Sequence, residues 1–242
     1  MGETVNFSGI KVDNVTLAEA VARVESLIAA GKPSLVVTPN PEMIVAAQED
    51  VELRALINGA DLRVPDGISM VVVKKILGDP LKERVSGIDL MQQLLMVSAS
   101  KGYKVFFFGS SPGIAEAAAV QAAKNYPGLK VVGSQHGYFR QEEEAKIIEK
   151  IKGAKPDLLF VGLGAGRQEK WLAANLTLLG TPVGMGIGGS LDAISGKVKR
   201  APVLAQKLYI EWLYRLLQQP WRWRRQIALI RFLILMFFPR KK

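Results

Sequence analysis

The chain has 242 residues, 49% of them hydrophobic and 22% charged. That is enough apolar material to bury one α/β core with an appendage, and too much for a disordered chain. It contains no cysteine, which excludes disulfides, thiolate zinc sites and cysteine nucleophiles and is compatible with a reducing compartment. The net charge of +10 is unevenly placed: from Lys197 onward twelve Lys/Arg face a single acid, Glu211, whereas residues 1–196 are almost neutral. A polyanionic partner, nucleic acid or an anionic membrane surface, is therefore expected at one end only.

The opening stretch "MGETVNFSGIKVDN" has no basic region followed by an apolar run, so no secretory signal is expected and the chain should stay cytoplasmic. Thr16 and Glu19 form a capping box ahead of "LAEAVARVESLIAA". Short apolar runs ending in polar punctuation then recur: "SLVVTPN", "ADLRVPDG", "YKVFFFGSSPG", "LKVVGSQHG", "PDLLFVGLGAG" and "TPVGMGIGGS". Helical stretches lie between them. Ser86 with Asp89 can cap the helix through Ser100, and Ser111-Pro112 places a cap and then proline at a first helical position. Repeated strand–turn–helix units predict an α/β, Rossmann-like fold, a mostly parallel sheet with helices on both faces. The seam between body and tail falls at Gly196–Pro202.

Ligands of such sheets bind outside the carboxyl ends of the strands. Those ends carry Thr38-Pro39-Asn40, Pro65-Asp66-Gly67, Gly109-Ser110-Ser111 and residues 162–168 and 186–190. Asp66 follows a strand in "RVPDG", where a carboxylate can take a proton from a hydroxyl nucleophile; Asp-Gly can equally make a plain turn. Arg84, in "KERVSG" before a helix start, suits a phosphate, although its local context alone reads as a solvated surface arginine. "GMGIGG" (Gly184–Gly189) satisfies G-x-G-x-x-G, yet no long amphipathic helix follows directly and no acid lies about twenty residues on, so a nicotinamide-dependent oxidoreductase is a disfavoured rival. Its glycines, or "GSSPG" after Phe108, can still cradle a nucleotide diphosphate through backbone N–H groups. His136 is the only histidine. With no cysteine and no tight carboxylate cluster, no transition-metal site is expected, and no G-x-S-x-G elbow exists to partner His136 in serine chemistry.

In the tail, Leu204, Leu208, Trp212, Leu213 and Leu216 recur at helical intervals. After Pro220 comes the oilier "WRWRRQIALIRFLILMFF", whose uninterrupted run is shorter than the roughly 20 residues a span needs and is broken by Arg231. The pattern predicts an interfacial helix, with tryptophans at headgroup level, arginines on anionic lipid, and leucine and phenylalanine in the acyl boundary. A core helix or dimer interface is the plainer alternative. Nucleic acid fits poorly, because exposed leucine and phenylalanine do not hold phosphates. On these features alone, a non-enzymatic membrane-binding module stands as a rival to an enzyme.

Taken in order, "TPNPEM", "RVPDGISM", "ERVSGIDL", "FFFGSSPG", "HGYF", "VGLGAGRQEKW", "GIGGSLDAISGKVKRAP" and "EWLYRLLQQPWRWRRQ" resemble the WecG/TagA/CpsF family of bacterial glycosyltransferases over nearly the whole chain. The resemblance implies an inverting transfer from a UDP-sugar to a polyprenyl-diphosphate-linked acceptor, with no metal or other cofactor. For the teichoic-acid branch it implies N-acetylmannosamine moving from UDP-N-acetylmannosamine to undecaprenyl-diphospho-N-acetylglucosamine; the uronic acid form of the donor is the alternative. It implies Asp66 as the base, Thr38 and Asn40 as a polar pair near the sugar, Arg84 and Gln168 as pocket residues, and Arg215, Arg222 and Arg225 as tail arginines reaching the acceptor diphosphate. Partial burial should lift Asp66 above the ordinary value of about 3.9. Residues 1–196 are then the nucleotide-sugar-binding catalytic domain. Residues 197–242 are then an appendage expected on the inner face of the cell membrane, and a homo-oligomer that covers the greasy surface of the body off the membrane is the alternative. One departure stands out: the family usually has proline where this chain has Gly166, and glycine frees the loop two residues before Gln168.

Overall fold

The computed structural model describes residues 3–198, 201–202, 211–218 and 223–238. An antiparallel hairpin, β1 (Thr4–Phe7) and β2 (Ile10–Asp13), opens the chain and pairs Val5 with Val12 and Phe7 with Ile10. Ser8 and Gly9, at φ 51° and 89°, make its two-residue turn, the kind whose twist matches the strands. The six runs expected as strands begin only at Ser34, so this hairpin adds to them; the alternation in "VNFSGIKV" was its signal.

After α1 (Leu17–Ala30) come β3 (Ser34–Val37), α2 (Pro41–Glu49), α3 (Val51–Gly59), β4 (Leu62–Arg63), α4 (Ile68–Ile76) and α5 (Gly87–Lys101). The second half alternates β5 (Lys104–Gly109), α6 (Ile114–Asn125), β6 (Lys130–Gln135), α7 (Gln141–Ala154), β7 (Leu158–Gly162), α8 (Arg167–Leu179), β8 (Val183–Gly186) and α9 (Ser190–Ile194). Six strands form one sheet in the order β4-β3-β8-β7-β5-β6, and every adjacent pair in it is parallel. This is the α/β, Rossmann-like arrangement that the sequence predicts.

Central strands of such a sheet are covered on both faces and read as unbroken apolar runs. Val105–Phe108 of β5 and Leu158–Val161 of β7 are accordingly all 0% exposed. Their alternate side chains go opposite ways. Val105, Phe107 and Phe160 pack with α1, α5 and α6, whereas Phe106, Phe108, Leu159 and Val161 pack with α7 and α8. Each such buried side chain contributes about 1.5–3 kcal/mol relative to exposure.

Helix starts follow local chemistry. The Thr16 hydroxyl accepts the Glu19 N–H at 3.2 Å and Glu19 Oε2 accepts the Thr16 N–H at 2.8 Å, completing the expected capping box. Ser86 caps α5 by accepting the Asp89 N–H at 3.3 Å. Ser111-Pro112 does not start a helix. Residues 111–113 form a turn, the Ile114 N–H bonds back to the Ser111 carbonyl, and Gly113 at φ 82° precedes α6.

Two tail helices are described, α10 (Glu211–Gln218) and α11 (Trp223–Phe237). Leu204 and Leu208, expected in the same amphipathic stretch, lie outside the described residues. Helix α11 packs on α2. Its Phe232, 0% exposed, and Met236 join Phe7, Ile10, Met43, Ile44 and Met70 in a third apolar cluster. The Phe7 and Phe232 rings stack with centroids 6.2 Å apart. The opposite side of α11 is open: Trp223, Ile230, Ile234 and Phe238 are 56, 58, 55 and 75% exposed. Among the described residues no helix is long and apolar enough to cross a membrane.

Candidate active site

A cleft of about 340 Å³ lies at the carboxyl edge of the sheet. Loops after four strands supply its walls: Thr38 and Asn40 after β3, Asp66 and Gly67 after β4, Gly164 and Ala165 after β7, and residues 187–189 after β8. Arg84 and Ser86, at the start of α5, close one side, and Gln168 in the first turn of α8 closes another. Leu216 of α10 and Gln226 of α11 also line it, so the tail forms part of the cleft.

Five sequence-predicted site residues thus converge: Thr38, Asn40, Asp66, Arg84 and Gln168. Arg215 and Arg225 are placed by the backbone on α10 and α11, with their side chains outside the described residues, and Arg222 lies wholly outside them.

Thr38 is 5% exposed and stands beside Asp66. A Cβ built on Gly87 would meet Thr38 Oγ1 at 3.5 Å and Asp66 Oδ2 at 3.7 Å. The Asp66 backbone is tied by its N–H to the Pro39 carbonyl at 2.9 Å, and its Oδ2 receives a long 3.4 Å contact from the Gly87 N–H. The carboxylate is half-buried at the cleft wall, a setting in which it can meet a hydroxyl proton.

Asn40 has a second task, since its Oδ1 caps α2 by accepting the Met43 N–H at 3.0 Å. Arg84 is not the solvated arginine its local context suggests: its side chain is 15% exposed and pairs with Asp89 at 3.4 Å. Asp89 also accepts the Ser86 hydroxyl. A cation held this way keeps a fixed position for an anionic ligand.

The loop before Gln168 is tied down. The Gly166 N–H donates to Glu169 Oε2 at 2.7 Å, and Gly166 sits at φ 83°, a backbone conformation closed to proline. Gln168, 2% exposed, is held at both ends of its amide: Oε1 accepts the Gly188 N–H at 2.9 Å and Nε2 donates to Glu169 Oε1 at 2.7 Å. Gly186 makes room for this pair, because a Cβ there would fall 2.6 Å from Gln168 Nε2 and 2.8 Å from Glu169 Oε1. Burial pushes the Glu169 carboxyl above its ordinary value, against the pull of its hydrogen bonds.

Sequence reasoning gave Glu169 no role, and it read Ser86 only as a helix cap and Gly188 only as part of a glycine-rich strand end. Glu169 had a signal, as the third residue of α8 reaching back to the backbone N–H before the helix. The pairing of Gly188 with Gln168 had none, because the two come from different strand ends.

The cleft offers a carboxylate, an anchored guanidinium and a fixed amide beside a cationic tail, a set suited to a sugar and an anionic leaving group. Comparison with known proteins agrees. The profile of the glycosyl transferase WecG/TagA/CpsF family matches residues 5–242. A relative in Bacillus spizizenii (strain ATCC 23059 / NRRL B-14472 / W23), named N-acetylglucosaminyldiphosphoundecaprenol N-acetyl-beta-D-mannosaminyltransferase, is 36% identical over 198 residues, 82% of this chain and 76% of its own. A relative of the same name in Staphylococcus aureus (strain MW2) is 35% identical over 223 residues, 91% of this chain and 86% of its own. The chain belongs to the WecG/TagA/CpsF family and is a glycosyltransferase.

Proposed function

We infer that this enzyme transfers N-acetylmannosamine from UDP-N-acetylmannosamine to undecaprenyl-diphospho-N-acetylglucosamine, with inversion and without a metal, at the membrane surface in cell-wall polymer synthesis. The observation that carries this reading is the composition of the cleft. Asp66, Thr38, Arg84 and Gln168 come from the body, while Leu216 and Gln226 come from tail helices rich in cations and apolar residues. A lipid-diphosphate acceptor has the matching character, an anionic head on a greasy chain.

In this mechanism Asp66 takes the proton of the acceptor sugar hydroxyl as that oxygen attacks the anomeric carbon. Attack comes from the face opposite the UDP leaving group, so a single displacement inverts the centre. Arg84, held by Asp89, and backbone N–H groups at the strand ends stabilise the charge that develops on the departing diphosphate. The cations of the tail meet the acceptor diphosphate, with Arg215, Arg222 and Arg225 as candidates. The open apolar side of α11 rests in the acyl boundary while its other side stays docked on α2.

The test uses purified protein, a synthetic prenyl-diphospho-N-acetylglucosamine acceptor and a panel of UDP-sugars, with EDTA present and UDP release as readout. Acceptor-dependent release with UDP-N-acetylmannosamine is expected. Release only with the uronic acid donor would move the enzyme to another branch of its family. Loss of release in EDTA, restored by a divalent cation, would refute metal independence.

A further inference from the structure

Gln168 and Glu169 form a short chain of hydrogen bonds strung between two backbone donors. The Gly166 N–H donates to Glu169 Oε2 at one end, and the Gly188 N–H donates to Gln168 Oε1 at the other. Gln168 Nε2 donates to Glu169 Oε1 in the middle. Backbone N–H groups can only donate, and a side-chain amide has one accepting end and one donating end. Two amides in series between two donors therefore always leave one pair of donors facing each other, however each amide is turned. The conflict disappears only if one member of the chain accepts at both ends, as an ionised carboxylate does. Position 169 supplies that member.

We propose that Glu169 is a positioning residue of the transfer site: its carboxylate fixes which way round the Gln168 amide sits at the cleft wall. The proposal rests on the glycosyl-transfer reading above. Glu169 does not line the cleft, and Gln168 does. With the carboxylate present, Gln168 has one fully satisfied orientation. With an amide at 169, three arrangements each carry one donor–donor conflict, and one of them turns Gln168 end for end. Water does not relieve the conflict easily, because Gln168 is 2% and Glu169 0% exposed. Gly186 belongs to the same device, since any side chain there would displace both groups. The pair thus lets α8 present an amide of fixed polarity to the substrate from a rigid element of the fold.

The experiment measures turnover and thermal midpoint for the full-length wild type, Glu169→Gln, Gln168→Ala, the two combined, and the swap Gln168→Glu/Glu169→Gln. Glu169→Gln is expected to lower kcat/KM on the order of tenfold or more and the midpoint by about 5 °C. Added to Gln168→Ala it should lower turnover no further, because the amide it orients is already gone. Losses that multiply in full would overturn the proposal, as would wild-type turnover in Glu169→Gln.

The swap again has one member accepting at both ends, now at position 168. It should regain the wild-type midpoint to within about 2 °C while turnover stays lost, since a carboxylate replaces the amide at the cleft. A swap no more stable than Glu169→Gln would overturn the hydrogen-bond argument, and a fully active swap would overturn the need for an oriented amide. If Glu169→Gln fails to fold, the swap carries both readouts alone. If the wild type turns over no donor, the functional reading falls, while the thermal midpoints still decide whether Glu169 orients Gln168.

Discussion

Replacing Phe232 with alanine separates a tail that is part of the fold from one that merely follows it. Phe232 is 0% exposed and sits on Phe7, with ring centroids 6.2 Å and planes 27° apart. Truncating a buried phenylalanine to alanine costs about 3–5 kcal/mol, of which a stacked pair accounts for about 0.5–1.5. The loss falls on the docking of α11, because Ile230, Ile234 and Phe238 on its other side are 58, 55 and 75% exposed and contribute little to it. Met236 and the half-buried Leu229 and Leu235 remain as anchors. Hydrogen exchange followed by mass spectrometry should show amides of residues 230–237 losing about two to three powers of ten in protection. Turnover on a lipid-linked acceptor should fall in parallel, since Gln226 leaves the cleft wall with the helix. Ile230→Ala is the control and should leave exchange as it is. Wild-type protection and wild-type turnover in Phe232→Ala would refute the docked arrangement.

Asp66→Asn should abolish UDP release while the thermal midpoint stays near wild type; near-normal turnover would remove Asp66 as the base. Gly166→Pro deletes the N–H that Glu169 accepts and demands a negative φ where the chain has 83°, so it should cost about 3 kcal/mol or more in urea unfolding and lower turnover. Ile230→Asp together with Ile234→Asp should sharply reduce co-sedimentation with anionic vesicles while the described core stays folded, as reported by circular dichroism; unchanged vesicle binding would refute the interfacial role of that side. Asp50 caps α3, and the Leu53 N–H, followed by Lys170, holds its carboxyl below the ordinary value. A lowered folded value means its stabilisation is present above the unfolded pKa and is lost as pH falls through the folded one. Asp50→Ala should therefore flatten the acid side of a stability-versus-pH curve, whereas an unchanged slope would show that the pair contributes nothing there.

The local sequence wrote the strands legibly. A parallel sheet buried on both faces turns each strand into an apolar run closed by polar punctuation, which is why "KVFFFG" and "LLFVG" could be read directly. The Thr16–Glu19 cap was equally local, four residues closing on themselves. Thr38, Asp66 and Gln168 could be marked as candidates because each follows such a run, and the ordered motifs of a known family gave them roles. Ser111-Pro112 misled because the same two residues begin a turn as readily as a helix, and Gly113 in the left-handed region settled it.

Pairing carries no such local mark. Ser34 of β3 lies beside Val183 of β8, and nothing near either residue announces the other, so the strand order that gathers four loops into one cleft came from tertiary packing. The same packing turned Arg84 from a surface residue into a pocket residue and brought the Gly188 N–H to Gln168. The tail shows the division most plainly. Its amino acids dictated a cationic, apolar end, and apolar residues recur on nearly every side of "IALIRFLILMFF". Which side is buried was chosen by the surface that α2 and the β1–β2 hairpin offer to Phe232 and Met236, because burial depends on what lies opposite a side chain and no helix specifies that alone.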